Sequence, residues 1–117
     1  MAAPHMDEAA LDDLRSSMSS GDFAMLLQLC RADLVARSAI LLDATEALDR
    51  GSLERALHHI VGTAGNIGAM KLVDAARQLE QGAAHAPDEA LRLGKAEIAA
   101  LVGETLAALD RLAGAEG

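Results

Sequence analysis

The chain has 117 residues, a length that fits one domain, and 51% of them are hydrophobic, enough to bury a core. Its 18 acidic residues against 10 basic ones give a formal charge of −8, which excludes nucleic-acid binding by phosphate neutralisation. With one Phe, no Tyr and no Trp, the chain also lacks the aromatic side chains on which bases stack.

The cysteine content and the apolar runs bear on where the protein resides. Cys30 is the single cysteine, which excludes an intrachain disulfide, and its leucine neighbours predict a buried thiol. No apolar run approaches the ~18 residues of a membrane span, and no basic segment precedes a hydrophobic stretch as in a signal peptide. We therefore expect a cytoplasmic protein.

The first residues differ in character from the rest. Residues 1–5 precede a second methionine, Met6, and read like an expression-vector remnant. The predicted domain is residues 6–117, and we assign no role to His5.

Apolar residues recur at spacings of three and four in five segments, the period of an amphipathic helix. The predicted helices are, in chain order, at about 7–17, 22–49, 52–67, 69–83 and 88–113. Turn signals separate them at Ser19-Ser20-Gly21, at Gly51-Ser52 and at 82–87, and Ser52 is a candidate N-cap. Stripes of this kind with short connections predict an all-α fold, an antiparallel four-helix bundle with a short N-terminal helix.

The third segment contains two glycines that lower the stability of a helix. Gly62 and Gly65 each cost about 1 kcal/mol relative to alanine. At about 100° per residue, both lie on the same side of the helix as His58 and face away from the apolar stripe. They therefore clear space around an imidazole on the surface, where another macromolecule can approach. His59 points away from this cleared area, and we expect it to be simply solvated.

The run from His58 to Ala69, His-His-Ile-Val-Gly-Thr-Ala-Gly-Asn-Ile-Gly-Ala, resembles the signature of histidine-containing phosphotransfer (HPt) domains. The family pattern is His, any residue, Leu, Lys, Gly, a small residue, Ala, then Gly-Asn-Leu-Gly-Ala, with a Leu-Glu pair on the next helix. Leu79-Glu80 matches that pair. The resemblance is close over about 23 residues, and the helical layout extends it to nearly the whole chain.

The resemblance implies a phosphorelay intermediate without kinase activity of its own. His58 would accept a phosphoryl group from an aspartate of one receiver domain and pass it to an aspartate of another. The partners would be receiver domains of response regulators or of hybrid histidine kinases, and the domain itself could be a free-standing protein or the terminal module of such a kinase. Mg²⁺ is expected on the receiver, and no cofactor or metal on this domain.

The same resemblance implies roles for neighbouring residues. Glu80 falls where the family often places a side chain that orients the imidazole, and an antiparallel hairpin around Gly68 would bring it level with His58. Pairing of Glu80 with Arg77 or Arg55 is an equal alternative. The docking surface would include Val61, Gly62 and Gly65.

One position departs from the family. Val61 stands where the family usually has a lysine near the phosphate, and Arg55 or Lys71 are the candidates to supply positive charge instead. The departure also leaves a second function open, a helical adaptor that docks receiver domains without being phosphorylated. We expect a monomer in either case.

Overall fold

The structure, a computed structural model, describes residues 6–116, with side-chain environments up to residue 114. The predicted vector remnant, residues 1–5 with His5, lies outside the described residues. Over the described range the protein is all-helical, with five helices and no strand. They are α1 (Glu8–Ser16), α2 (Ser20–Ala47), α3 (Arg50–Asn66), α4 (Met70–Gly82) and α5 (Asp88–Glu116). None of them is long and apolar enough to cross a membrane.

The predicted helices are all present, but two helix starts differ from the prediction. Ser52 is not the N-cap of α3; the cap is Asp49, whose carboxylate accepts the backbone N–H of Ser52 at 3.2 Å and its hydroxyl at 2.8 Å. Ser19 caps α2 in the same way, by accepting the N–H of Asp22. Gly21 and Gly51 therefore lie in the first turn of a helix, because a good cap precedes each of them.

The helices pack in a cycle around one core. Helix α2 packs against α3 and α5, and α4 packs against the same two helices, while α1 covers part of α2. The predicted apolar stripes supply the core. Its fully buried large side chains are Phe23, Leu27, Leu34, Leu41, Leu53, Leu57, Ile60, Ile67, Leu72, Leu91, Ile98 and Leu109.

Cys30 and Leu48 both fall on the apolar stripe predicted for the helix at 22–49, at spacings of three and four or their sum, but they lie in different environments. Cys30 is buried and unpaired, and burial, with a smaller contribution from the charge of Asp33, raises the pKa of its thiol. It is thus a small core residue rather than a reactive thiol. Leu48, in contrast, is 38% exposed, because it follows the last turn of α2 in the left-handed conformation, with φ 53°.

The turn between α3 and α4 fixes how these two helices meet. Gly68 adopts φ +72°, and Ile67 and Ala69 on either side of it are buried. The N-terminal segment seals this turn, since the N–H of Asp7 donates to the carbonyl of Gly68 at 2.6 Å. A Cβ on Gly68 would lie 3.1 Å from the Cβ of Asp7 and 3.2 Å from its carbonyl oxygen.

We predict that Gly68→Ala lowers the free energy of unfolding by at least about 1–2 kcal/mol, the cost of left-handed backbone in a residue with a Cβ. Urea denaturation followed by circular dichroism measures it. Gly103→Ala is the matched control, because Gly103 lies within α5 and a Cβ there would meet nothing within 4 Å. It should raise stability by up to about 1 kcal/mol. Equal effects of the two substitutions would contradict this account of the turn.

Candidate functional site

His58 projects from the middle of α3 into solvent. Its side chain is 77% exposed, whereas Leu57 and Ile60 beside it in the sequence are fully buried. The two buried residues hold α3 against the core and so fix the direction in which His58 points. The imidazole is thus presented on a rigid helix, in a position that another protein can reach.

Glu80, in the last turn of α4, contacts the imidazole. Its Oε2 lies 3.1 Å from Nδ1 of His58, and its side chain is 28% exposed. A carboxylate accepts a hydrogen bond from an Nδ1–H group but cannot donate one to a bare ring nitrogen, so this contact favours the tautomer with hydrogen on Nδ1. In that tautomer Nε2 carries a free lone pair and points away from Glu80, so it is the ring nitrogen available to a nucleophilic reaction.

The surface around His58 is open because two residues lack side chains. An added Cβ would meet nothing within 4 Å at Gly62 or at Gly65. Neither glycine is therefore required for packing within the domain. Val61, half-buried, borders them on the side of α4. We call His58, Val61, Gly62 and Gly65 the His58 patch.

The structure does not bring the two predicted phosphate neighbours to His58. The guanidinium of Arg55 donates to the hydroxyl of Ser52 at 3.1 Å, which turns this side chain back toward the start of α3. Lys71 lies nine residues before Glu80 in α4, about 13 Å away along the helix axis and on the opposite face. His59 is exposed, one residue and about 100° further round α3 than His58.

A contact between α2 and α3 was not predicted from the sequence. The hydroxyl of Thr63 donates to the carboxylate of Asp33, which also pairs with Arg37 at 3.4 Å. Thr63 lies on the flank of α3 opposite Val61, so α3 is held by α2 on one flank and by α4 on the other. No sequence signal marks the pair, because the two residues are 30 positions apart.

Among the described residues, no group of three or more His, Cys, Asp or Glu side chains is arranged to hold a metal ion. His58 and His59 diverge on the helix surface, as adjacent helical residues do.

Comparison with known proteins gives the family. Residues 8–115 match the family model of the Hpt domain. The chain belongs to the Hpt domain family. Members of this family are phosphotransfer intermediates of two-component phosphorelays rather than kinases, and they interact with receiver domains, which supports a histidine phosphotransfer role for this chain.

A solved structure shares the fold. The chain superimposes with a TM-score of 0.86 on histidine-containing phosphotransfer protein B (HptB) of Pseudomonas aeruginosa PAO1, and 96% of each chain is covered at 23% identity. No curated protein sequence is similar enough to match this Hpt domain.

The contact with Glu80 predicts a specific ring tautomer. At a pH where His58 is neutral, long-range ¹H–¹⁵N NMR of the imidazole should show hydrogen mainly on Nδ1. Glu80→Ala should shift the ring to a mixture of tautomers, because the acceptor is lost. His59, for which the described part of the structure shows no such contact, reports the unbiased mixture in the same spectrum. A His58 ring with hydrogen mainly on Nε2 would contradict the assignment of Nε2 as nucleophile.

Proposed function

We propose that this Hpt domain is a phosphorelay intermediate that accepts a phosphoryl group on Nε2 of His58 from a receiver aspartate and passes it to another. The observation that carries the proposal is the exposed imidazole with Nδ1 against Glu80, in the middle of the His58 patch. A nucleophile with no packing constraint on its reactive side suits repeated transfer between two partners.

The proposed transfer needs little from this domain beyond the nucleophile. The lone pair of Nε2 attacks the phosphorus of the aspartyl phosphate, a P–N bond forms, and the P–O bond breaks with its electron pair leaving on the carboxylate. No proton has to leave Nε2, since the hydrogen is on Nδ1. The positive charge that develops on the ring is stabilised by the carboxylate of Glu80. The reverse steps deliver the phosphoryl group to the second aspartate.

The receiver is proposed to supply the remaining groups, including Mg²⁺, and this domain to bind no cofactor. The receiver would dock on the His58 patch, where the missing side chains at Gly62 and Gly65 let it approach the ring. We also propose that the domain is a cytoplasmic monomer whose core helices α2–α5 form an antiparallel four-helix bundle, with α1 as the short N-terminal helix. Pairs such as Arg31 with Asp110 at 2.8 Å and His58 with Glu80 support that arrangement.

A second function has one observation in its favour. Val61 provides no charge beside His58, and Arg55 and Lys71 do not replace it, so a phosphohistidine there would lack the family's usual lysine. The alternative is a domain that docks receivers through the His58 patch but is not phosphorylated.

Substitution of the two adjacent histidines distinguishes these functions. Receiver domains phosphorylated with acetyl phosphate should transfer the group to wild type and to His59→Gln, and give an acid-labile, base-stable phosphate. His58→Gln should accept none and keep its stability within about 0.5 kcal/mol, since the side chain is exposed. Binding of receivers without any transfer to wild type would support the adaptor instead.

The docking surface is tested with bulky residues at open glycines. Gly62→Gln should slow transfer from a phosphorylated receiver at least tenfold, because the new side chain occupies the approach to Nε2, while the melting temperature rises or is unchanged. Gly103→Gln on α5 is the matched control and should transfer at the wild-type rate. Unimpaired transfer in Gly62→Gln would show that receivers dock elsewhere.

A further inference from the structure

A phosphoryl group on His58 would enter a surface that already carries negative charge. Glu80 contacts the ring, and Glu54, half-buried, lies one turn before His58 on the same helix, a spacing at which side chains are neighbours. The phosphoryl group itself adds about two negative charges. A cation close to Nε2 would offset this repulsion.

Helices α3 and α4, which bear this surface, carry four basic residues. Arg50 is engaged with the carbonyl of Ala83 at 2.7 Å and with Asp88 at 3.0 Å. The side chain of Arg55 turns toward Ser52, away from His58. Lys71 lies on the opposite face of α4 from Glu80. The fourth is Arg77, which is exposed and makes no hydrogen bond or ion pair with any residue from 6 to 114, the range over which side chains are described.

The register of the hairpin places Arg77 beside the His58 patch. The contact between His58 and Glu80 places these two residues at the same height along α3 and α4. The residue three positions later on α3 and the residue three positions earlier on α4 therefore also lie at one height. Those positions are Val61 and Arg77, about 4.5 Å along the helix axes from the His58–Glu80 pair.

The face of α4 agrees with this placement. Val73, Arg77 and Glu80 follow one another at spacings of four and three, so they form one stripe. Val73 is buried and Glu80 reaches α3, so the stripe borders α3. Arg77 is its exposed member, and an arginine side chain is long enough to cross from there to a group on Nε2.

We infer that Arg77 is a phosphoryl-binding residue of this domain, whose guanidinium pairs with the phosphoryl oxygens on His58 from the neighbouring helix. A planar guanidinium suits this task, because two of its N–H groups can donate to two phosphoryl oxygens at once. The inference rests on the proposed function. It explains how a phosphoryl group on His58 has a positive charge beside it although position 61 is valine rather than lysine.

The test follows the phosphoryl group directly and needs no receiver. The purified domain is phosphorylated on His58 with phosphoramidate, and the protonation of the phosphoryl group is followed by ³¹P NMR against pH. In Arg77→Gln the midpoint should move to higher pH, because a neighbouring cation favours the dianion. Arg111→Gln is the control, since it removes the same charge from α5, which does not pack against α3.

A second measurement follows the position of transfer equilibrium. With a receiver that exchanges the phosphoryl group with wild type, Arg77→Gln should shift the equilibrium toward the phosphorylated receiver about tenfold. Adding Val61→Lys to the same chain should reverse most of that shift. Unchanged midpoint and equilibrium in Arg77→Gln, or an equal shift in Arg111→Gln, would overturn the inference. Wild type that takes phosphate from neither phosphoramidate nor receivers would overturn the proposed function as well.

Discussion

The register between α3 and α4 is the constraint on which the rest of the site depends. It is set by the turn at Gly68, where left-handed backbone and the hydrogen bond from Asp7 leave no room for a side chain, and by the buried residues on either side. A slip of one residue along either helix would move a side chain by about 1.5 Å along the axis and 100° around it. Such a slip would separate Glu80 from His58.

At the His58 patch, helix stability is lowered with no gain in packing within the domain. Gly62 and Gly65 give up about 2 kcal/mol of helix stability relative to alanine, yet an added Cβ at either would meet nothing. Their effect is only on what can approach from outside. The core lies on the other side of α3 and includes neither His58 nor the two glycines, so the face around His58 can be bare without weakening the packing that holds it.

Much of this arrangement could be predicted from the sequence, because it depends on local periodicity. The apolar stripes predicted the helices, and the helical wheel predicted that His58 faces away from the core with Gly62 and Gly65 beside it. The start of α3 was predicted two residues late because Asp49 and Ser52 are both good N-caps, and only the folded backbone shows which one accepts the hydrogen bond. Leu48 left the predicted stripe because it ends the helix in left-handed backbone.

Contacts between distant residues were harder to predict. Thr63 with Asp33 requires the register of α2 against α3, and the direction of Arg55 depends on a nearby hydroxyl that competes for its guanidinium. The contact of Glu80 with His58 could be predicted only because a short turn joins their helices. The roles of His58, Glu80 and the His58 patch in transfer stay predictions, since they concern a complex with a receiver.

The most direct test of the account is to identify the atom that carries the phosphoryl group. The domain, labelled with ¹⁵N in its histidines, is incubated with a phosphorylated receiver, and ³¹P–¹⁵N coupling is measured by NMR. Coupling to Nε2 of His58 is expected, with Nδ1 still protonated against Glu80. Coupling to Nδ1 of His58, or to either nitrogen of His59, would contradict it.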